Sequence, residues 1–255
     1  MDHPSDDFRT IAEARAYGIA CQLAVGVEES EAESTTEILL EEVLELKRAE
    51  LRRRRDTLLS AAQRETLRGF LERRRSREPV QYIVGHWPFY NLEKLLVRRP
   101  TLIPRPETEE LVELVLRQFE GAAADRMPKR MMEIGPGTGA ISIALLKQWK
   151  KFSTSCLAIE LCDHAVTLTR ENSRLHGLQE SLEVILCDFR LWVQNSLPIP
   201  AQEKFDLLVS NPPYIPSDDM LILEPEVSDY EDRAALHGGE DGMDLILCIL
   251  RAARV

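Results

Sequence analysis

Residues 131–149 read MMEIGPGTGAISIALLKQW, and this stretch decides the architecture. Met131-Met132-Glu133-Ile134 has the apolar density of a buried strand, and Ala140 to Trp149 carries apolar residues at helical spacing. Between them stand Gly135, Gly137 and Gly139. Glycine lets the chain reverse tightly and lets a ligand approach the backbone at the amino end of a helix. Strand, glycine turn and helix in this order open a parallel α/β sheet. The spacing G-x-G-x-G departs from the G-x-G-x-x-G of dinucleotide sites. Glu133 precedes the first glycine, where a carboxylate suits a cationic amino-acid end better than a pyrophosphate.

Downstream the alternation continues. Cys156 to Glu160 is a strand, Ala165 to His176 a helix, Leu182 to Leu186 and Phe205 to Val209 further strands, and residues 242 to 254 one more helix. Short connections between such elements imply a parallel sheet covered by helices. The carboxyl ends of its strands then share one rim, where open α/β sheets bind ligands. Glu160 ends the second strand, 21 residues after Gly139, where an acid accepts hydrogen bonds from ribose hydroxyls. Asp188 and Phe189 follow the third strand. They suit an adenine amino group and its ring face, and equally a strand-ending acid beside a core aromatic.

The fourth strand runs into Ser210-Asn211-Pro212-Pro213-Tyr214-Ile215-Pro216. A planar NH2 group is a poor nucleophile because its lone pair is delocalised. If the Asn211 side-chain oxygen and the Pro212 carbonyl each accept one of its N–H bonds, the nitrogen is oriented and its electron density rises as it attacks a methyl carbon. Positioning of this kind lowers a barrier by several kcal/mol, and dipoles set for the developing charge lower it further. The prolines hold the backbone, and Tyr214 can pack on the planar group. The chemistry expected is methyl transfer from S-adenosylmethionine to a planar amide-type nitrogen.

Upstream the character changes. Residues 8 to 76 hold almost no proline, and apolar stripes recur at helical spacing: Ile38, Leu39, Val43, Leu44 and Leu46, then Leu58, Leu59, Leu67, Phe70 and Leu71. This predicts a small helical domain over 1–77. Residues 78–103 read as a β-hairpin linker, with Gln81-Tyr82-Ile83-Val84 as one strand, a turn near Gly85 and Leu95-Leu96-Val97 as the other. Residues 104–255 form the sheet domain, opened by PRPETEELVELVLRQF, whose Pro106 and acids Glu107, Glu109 and Glu110 suit the first turn of a helix.

Composition sets bounds. The chain has 255 residues, 44% hydrophobic and 29% charged, which is ordinary for a globular protein. No apolar run approaches the ~20 residues of a membrane span, and MDHPSDDFRT carries no signal-peptide or transit-peptide pattern. A formal net charge of −11 disfavours broad duplex binding. Locally the balance reverses: residues 47 to 77 hold twelve Lys and Arg against four acids. Such a run is a solvated helix face or a docking surface for an acidic or RNA-bound partner. Cys21, Cys156, Cys162, Cys187 and Cys248 lie far apart, which fits small buried hydrophobes and a reducing compartment. No metal site is expected, and no histidine is assigned a role.

Taken together, SNPPYIP, EIGPGTGAISIAL, LIPRPETEELVE, PVQYIVG and EVSDYEDRAALHGGEDGMD resemble HemK/PrmC-type release-factor glutamine N5-methyltransferases. The resemblance covers roughly residues 78 to 255. It implies a class I, Rossmann-like methyltransferase domain, a hairpin linker and a helical domain that docks the substrate. It implies S-adenosylmethionine as cofactor, and as substrate the glutamine of the Gly-Gly-Gln loop in class 1 peptide-chain release factors. By position, Gly135, Gly137, Gly139, Glu160, Asp188 and Phe189 would surround the cofactor. Asn211, Pro212, Pro213 and Tyr214 would hold the glutamine amide, and Arg105 to Thr108 would form a loop nearby. The fold normally has seven strands and four are legible here, so a chain truncated in its late strands, with an exposed edge beside the fourth, is expected. The motif wording is similar to eukaryotic organellar members, which points to mitochondria, with the cytoplasm as alternative. No membrane contact and no sequence-specific nucleic-acid binding are expected. Two other functions stay open. An adenine-N6 nucleic-acid methyltransferase shares N-P-P-Y but would need base flipping and a basic groove, against which the acidic segment 218 to 241 argues. An inactive truncated form would only bind partners.

Overall fold

A computed structural model describes residues 7–194 and 204–253, which fall into two units, Met1–Val84 and Gly85–Val255. The first unit is helical: α1 (Ile11–Leu23), α2 (Glu29–Leu44), α3 (Arg48–Arg53), α4 (Ala61–Arg75) and α5 (Val80–Val84). Thr10 and Ser60 each begin a helix with a reciprocal cap, to Glu13 and Gln63 respectively. Leu39, Leu67 and Leu71 are buried as their spacing predicts, whereas Leu58 is 72% exposed because it precedes α4 in an extended bridge to Thr10. Beside these leucines the unit also buries a polar network. Gln22, fully buried, donates from Nε2 to Thr36 Oγ1 (2.8 Å) and Ala32 O (3.2 Å). Its Oε1 accepts from Thr35 Oγ1 (2.6 Å) and Arg74 Nε (3.1 Å).

Part of the basic run is therefore committed within the fold, although Arg52, Arg54 and Arg55 stay mostly exposed. Arg74 is 1% exposed and donates to Glu31 Oε1 at 2.6 Å. Arg73 donates twice to Glu78 (2.8 and 2.6 Å), and Arg75 to Glu72 (3.0 Å). Arg48 and Arg15 both reach Glu37. Some of the acids that pair with these arginines, Glu31 and Glu37, come from another helix, while Glu72 lies within the run itself. One expectation fails nearby. Gln81 to Val84 is helical rather than extended. The Pro79 carbonyl accepts from Tyr82 N (3.0 Å) and Ile83 N (3.2 Å), and Arg73 donates to the Tyr82 and Ile83 carbonyls at the helix end.

The second unit begins with an antiparallel hairpin, β1 (His86–Phe89) and β2 (Leu92–Leu96), turning at Tyr90, whose φ is 50°. The hairpin is fastened rather than loose. Asn172, fully buried, accepts from Leu96 N (2.7 Å) and donates to Leu96 O (3.0 Å) and Thr138 O (2.9 Å). After it come α6 (Pro106–Gln118), β3 (Arg130–Ile134), α7 (Ala140–Gln148), β4 (Ser155–Glu160), α8 (Asp163–Leu175), β5 (Leu182–Leu186), α9 (Phe189–Val193), β6 (Leu207–Ser210), α10 (Pro225–Ser228), α11 (Arg233–Leu236) and α12 (Asp244–Ala252). The α/β expectation holds: β3–β6 form one parallel sheet in the order β5-β4-β3-β6.

Alternation along the strands sends side chains to two cores. Met131, Ala158 and Val209 join Val112 and Val115 of α6 and the apolar face of α7. Met132, Ile134, Leu157 and Ile159 join Phe189 and Ile249, the latter from α12. Covered on both faces, the sheet can bind a ligand only along its rim, and the register sets what meets there. Ile134 stands beside both Ile159 and Ser210, so the residues following β3, β4 and β6 emerge together.

Candidate active site

A cavity of about 590 Å³ opens at this rim, within the size range of small-molecule sites. Gly135 and Gly137 line it from the turn after β3, Glu160 from the end of β4, Asp188 and Phe189 from the end of β5, and Asn211 and Pro213 from the end of β6. Four other sequence candidates stand outside its lining: Glu133, Gly139, Pro212 and Tyr214.

The glycine turn has φ of 68°, 59° and 82° at Gly135, Gly137 and Gly139, values that side chains rarely tolerate. At Gly139 space is also short, since a Cβ would stand 2.9 Å from Thr169 Cγ2 and 3.0 Å from Ile143 Cδ1. This glycine serves packing of the turn against α8. At Gly135 nothing lies within 4 Å of the Cβ position, so the turn is open towards the cavity. Thr169 donates to Gly137 O (2.8 Å), which holds the turn to α8.

The two acids of the motif have separate surroundings. Glu160 accepts from Gly137 N (3.0 Å) and Cys162 N (2.9 Å), with its carboxylate on the cavity wall. Burial raises its pKa, against the pull of these backbone donors. Glu133 lies one strand over and points into the first core. It is 1% exposed, and Ser142 donates to its Oε2 from both N (3.1 Å) and Oγ. Burial pushes its pKa up to about 8, and the nearby Glu160 adds to the rise. A cationic ligand end was the sequence reading for Glu133; in the structure its carboxyl group is engaged at the first turn of α7.

Asp188 caps α9, accepting from Arg190 N (2.9 Å) and Nε (3.2 Å). Phe189 is 4% exposed and stacks on Trp192 with ring centroids 5.4 Å apart. Each residue thus has a structural contact and also lines the cavity.

At β6 the Asn211 side chain reaches across to α6, its Nδ2 donating to Thr108 Oγ1 at 3.1 Å. Beyond it the chain is backed by the distant AALHGGEDG segment. Ile215 N donates to Leu236 O (2.9 Å), Gly238 N to Ile215 O (2.9 Å) and Ser217 N to Gly239 O (3.0 Å). A Cβ on Gly242 would run into the Tyr214 carbonyl oxygen, which gives that glycine a reason. Tyr214 itself is 59% exposed.

Three features were out of reach of sequence reading. Arg105 Nη2 donates to both oxygens of Glu231 at 2.7 Å, joining the PRPET turn to the YED segment; burial raises the Glu231 pKa and Arg105 opposes it. Asn172 and Thr169 brace the glycine turn from α8. Finally, Cys162, His164 and Asp232 meet on the cavity wall, their ligand-type atoms within 4.8 Å of one another. Cys162 donates to Asp232 Oδ2 (3.3 Å), and His164 Nε2 lies 3.3 Å from the same oxygen. Burial, and then the Asp232 hydrogen bond, push the Cys162 thiol up to about 12, so it is no thiolate. Cys162 is thus more than the small hydrophobe expected, and no local spacing predicts a partner seventy residues away.

Comparison with known proteins adds the lineage. Residues 13–85 match the PrmC N-terminal domain and residues 112–222 the Methyltransferase small domain. The chain is 42% identical over 201 residues to the human protein named MTRF1L release factor glutamine methyltransferase, covering 76% of this chain and 57% of that one. It is 39% identical over 229 residues to the Release factor glutamine methyltransferase of Geobacter sulfurreducens, covering 89% and 73% respectively. With its Bacillus anthracis namesake it shares 34% identity over 215 residues, 83% of this chain and 71% of that one. The matched stretch thus spans from little more than half to about three quarters of the length of these relatives. The sheet unit has the α/β, Rossmann-like methyltransferase fold, and the chain belongs to the release factor glutamine methyltransferase family.

Proposed function

We propose that this protein transfers a methyl group from S-adenosylmethionine to the side-chain amide nitrogen of glutamine in the Gly-Gly-Gln loop of a class 1 peptide-chain release factor. One observation carries the reading. The Asn211 carboxamide and the open glycine turn line a single cavity, at the ends of adjacent strands.

The residues present suit the cofactor. The turn at Gly135 leaves room for a ligand against the backbone, the Glu160 carboxylate can accept from ribose hydroxyls, and Asp188 with Phe189 can take an adenine. When bound, S-adenosylmethionine supplies an electrophilic methyl group on a positively charged sulfur. The chain's own part is to hold the nucleophile. Asn211 Oδ1 and the Pro212 carbonyl accept the two N–H bonds of the glutamine amide, which fixes the nitrogen and favours the charge that develops on it. Pro212 and Pro213 restrict the backbone on which both acceptors depend. Tyr214, exposed and next in the chain to the cavity-lining Pro213, can offer a face to the planar amide. The helical unit is the docking part for the protein substrate, a role supported by its match to the PrmC N-terminal domain. The motif wording favours mitochondria, with the cytoplasm as the alternative.

The test is direct. The protein is incubated with S-adenosylmethionine and either a release factor or adenine-containing DNA, and both products are read by mass spectrometry. Gain of one methyl on the glutamine peptide is expected; methylation of the DNA alone overturns the reading.

A further inference from the structure

We propose that Thr108 is the positioning residue that holds the Asn211 carboxamide in place at the cavity wall, an inference that rests on the methyl-transfer reading above. A carboxamide has two ends of nearly equal shape and opposite hydrogen-bonding sense. A substrate NH2 needs an acceptor, so Asn211 serves only with Oδ1 towards it. Turned over, Asn211 presents N–H to N–H, and the substrate amide is repelled.

In the structure one bond holds Asn211 in the serviceable orientation. Asn211 Nδ2 donates to Thr108 Oγ1 at 3.1 Å, which leaves Oδ1 as the end available to the cavity that Asn211 lines. Thr108 can act as a fixed point because its own place is set without help from Asn211. It is 8% exposed in the first turn of α6, and its N–H donates to Arg105 O at 3.0 Å. Arg105 is in turn clasped to the buried Glu231 by two bonds of 2.7 Å. Val112 and Val115, on the same helix, are seated in the main core. The PRPET turn is thus a bracket. One end grips Glu231 and the other presents a hydroxyl to the amide that handles the substrate.

A threonine kept only for packing would give a different pattern from one kept for its hydroxyl. Thr108→Val preserves shape and removes the acceptor; Thr108→Ser preserves the acceptor and trims a methyl. Turnover and KM for release-factor methylation, cofactor affinity by calorimetry and thermal unfolding are measured for wild type and both variants. The expected result is a kcat about tenfold lower for Thr108→Val, with cofactor affinity within about twofold of wild type and most of kcat restored in Thr108→Ser. Wild-type turnover in Thr108→Val overturns the inference, as does a Thr108→Ser variant as slow as Thr108→Val. Loss of cofactor binding and of thermal stability in step with activity overturns it too, because it marks a packing role.

A second readout needs no turnover. The Asn211 side-chain NH2 signals are identified by NMR from their loss in Asn211→Ala. They should exchange slowly with water in wild type and fast in Thr108→Val; equal exchange in the two proteins overturns the inference. A wild-type protein that shows the protected NH2 yet leaves release factors unmethylated overturns the functional reading and keeps the Thr108 contact.

Discussion

Gln22 in the helical unit and Asn211 in the sheet unit carry the same carboxamide, and their surroundings give it different work. Around Gln22 the network is complete: Thr36 and Ala32 accept from its nitrogen, and Thr35 and Arg74 donate to its oxygen, all away from water. A satisfied buried network rigidifies and specifies a fold. Around Asn211 only the nitrogen is engaged among the described residues, by Thr108, and the group sits on a cavity wall. An amide with capacity left over, held in place and facing space, is equipped to bind. Saturation separates the two roles, not residue type.

The contrast can be tested from its stronger side first. Asn211→Ala should lower turnover by ~10²-fold or more, on the scale of losing an oriented group at a transition state, while urea unfolding and cofactor affinity stay near wild type. A parallel loss of cofactor binding would show that Asn211 belongs to the cofactor's pocket instead. Arg74→Ala should do the reverse. It unsaturates Gln22 and strips Glu31 of its partner, so stability should drop by about 2–3 kcal/mol. That figure is discounted because Glu31 keeps contact with water. Cofactor affinity should not move, and an unfolding midpoint equal to wild type would show the network to be dispensable.

Two smaller effects sharpen the comparison between the neighbouring acids Glu160 and Glu133. Glu160→Gln keeps the shape and removes the charge from a cavity-lining group, and should weaken cofactor binding by about tenfold; unchanged calorimetric affinity would take Glu160 out of the site. Glu133→Gln should leave affinity alone and change a pH profile instead. The Glu133 pKa rises from 4.5 to about 8 on folding, so between those values the native state holds the extra proton. Stability then falls as pH rises through that window, by at most ~1.4 kcal/mol per pH unit from this group. The glutamine variant should show a flatter fall; identical slopes would mean that Glu133 ionises as freely as in the unfolded chain.

How legible each part was depends on how local its cause is. The strands of the sheet could be placed because each is an apolar run bounded by breakers, and the first glycine turn because three glycines alternate after one of them. Gln81 to Val84 misled because its apolar content suits a strand, whereas Pro79 and the Arg73 guanidinium close it as a helical turn. The basic run was only partly legible because some of its counter-charges, Glu31 on α2 among them, arrive from elsewhere in the chain. Glu133 was readable as a motif acid but not as a buried one, since strand alternation alone does not say which face its helix will cover.

From the sequence by itself came the α/β class, the rim on which the candidates gather and the chemistry of an amide set beside two prolines. These follow from periodicity and from residue types adjacent in the chain. Tertiary structure alone decided that Asn211 meets Thr108, 103 residues away, that Arg105 grips Glu231, and that Gly242 makes way for the Tyr214 carbonyl. Such pairings depend on the sheet register and on how α6 seats against the core, and no short-range preference encodes a contact between segments a hundred residues apart.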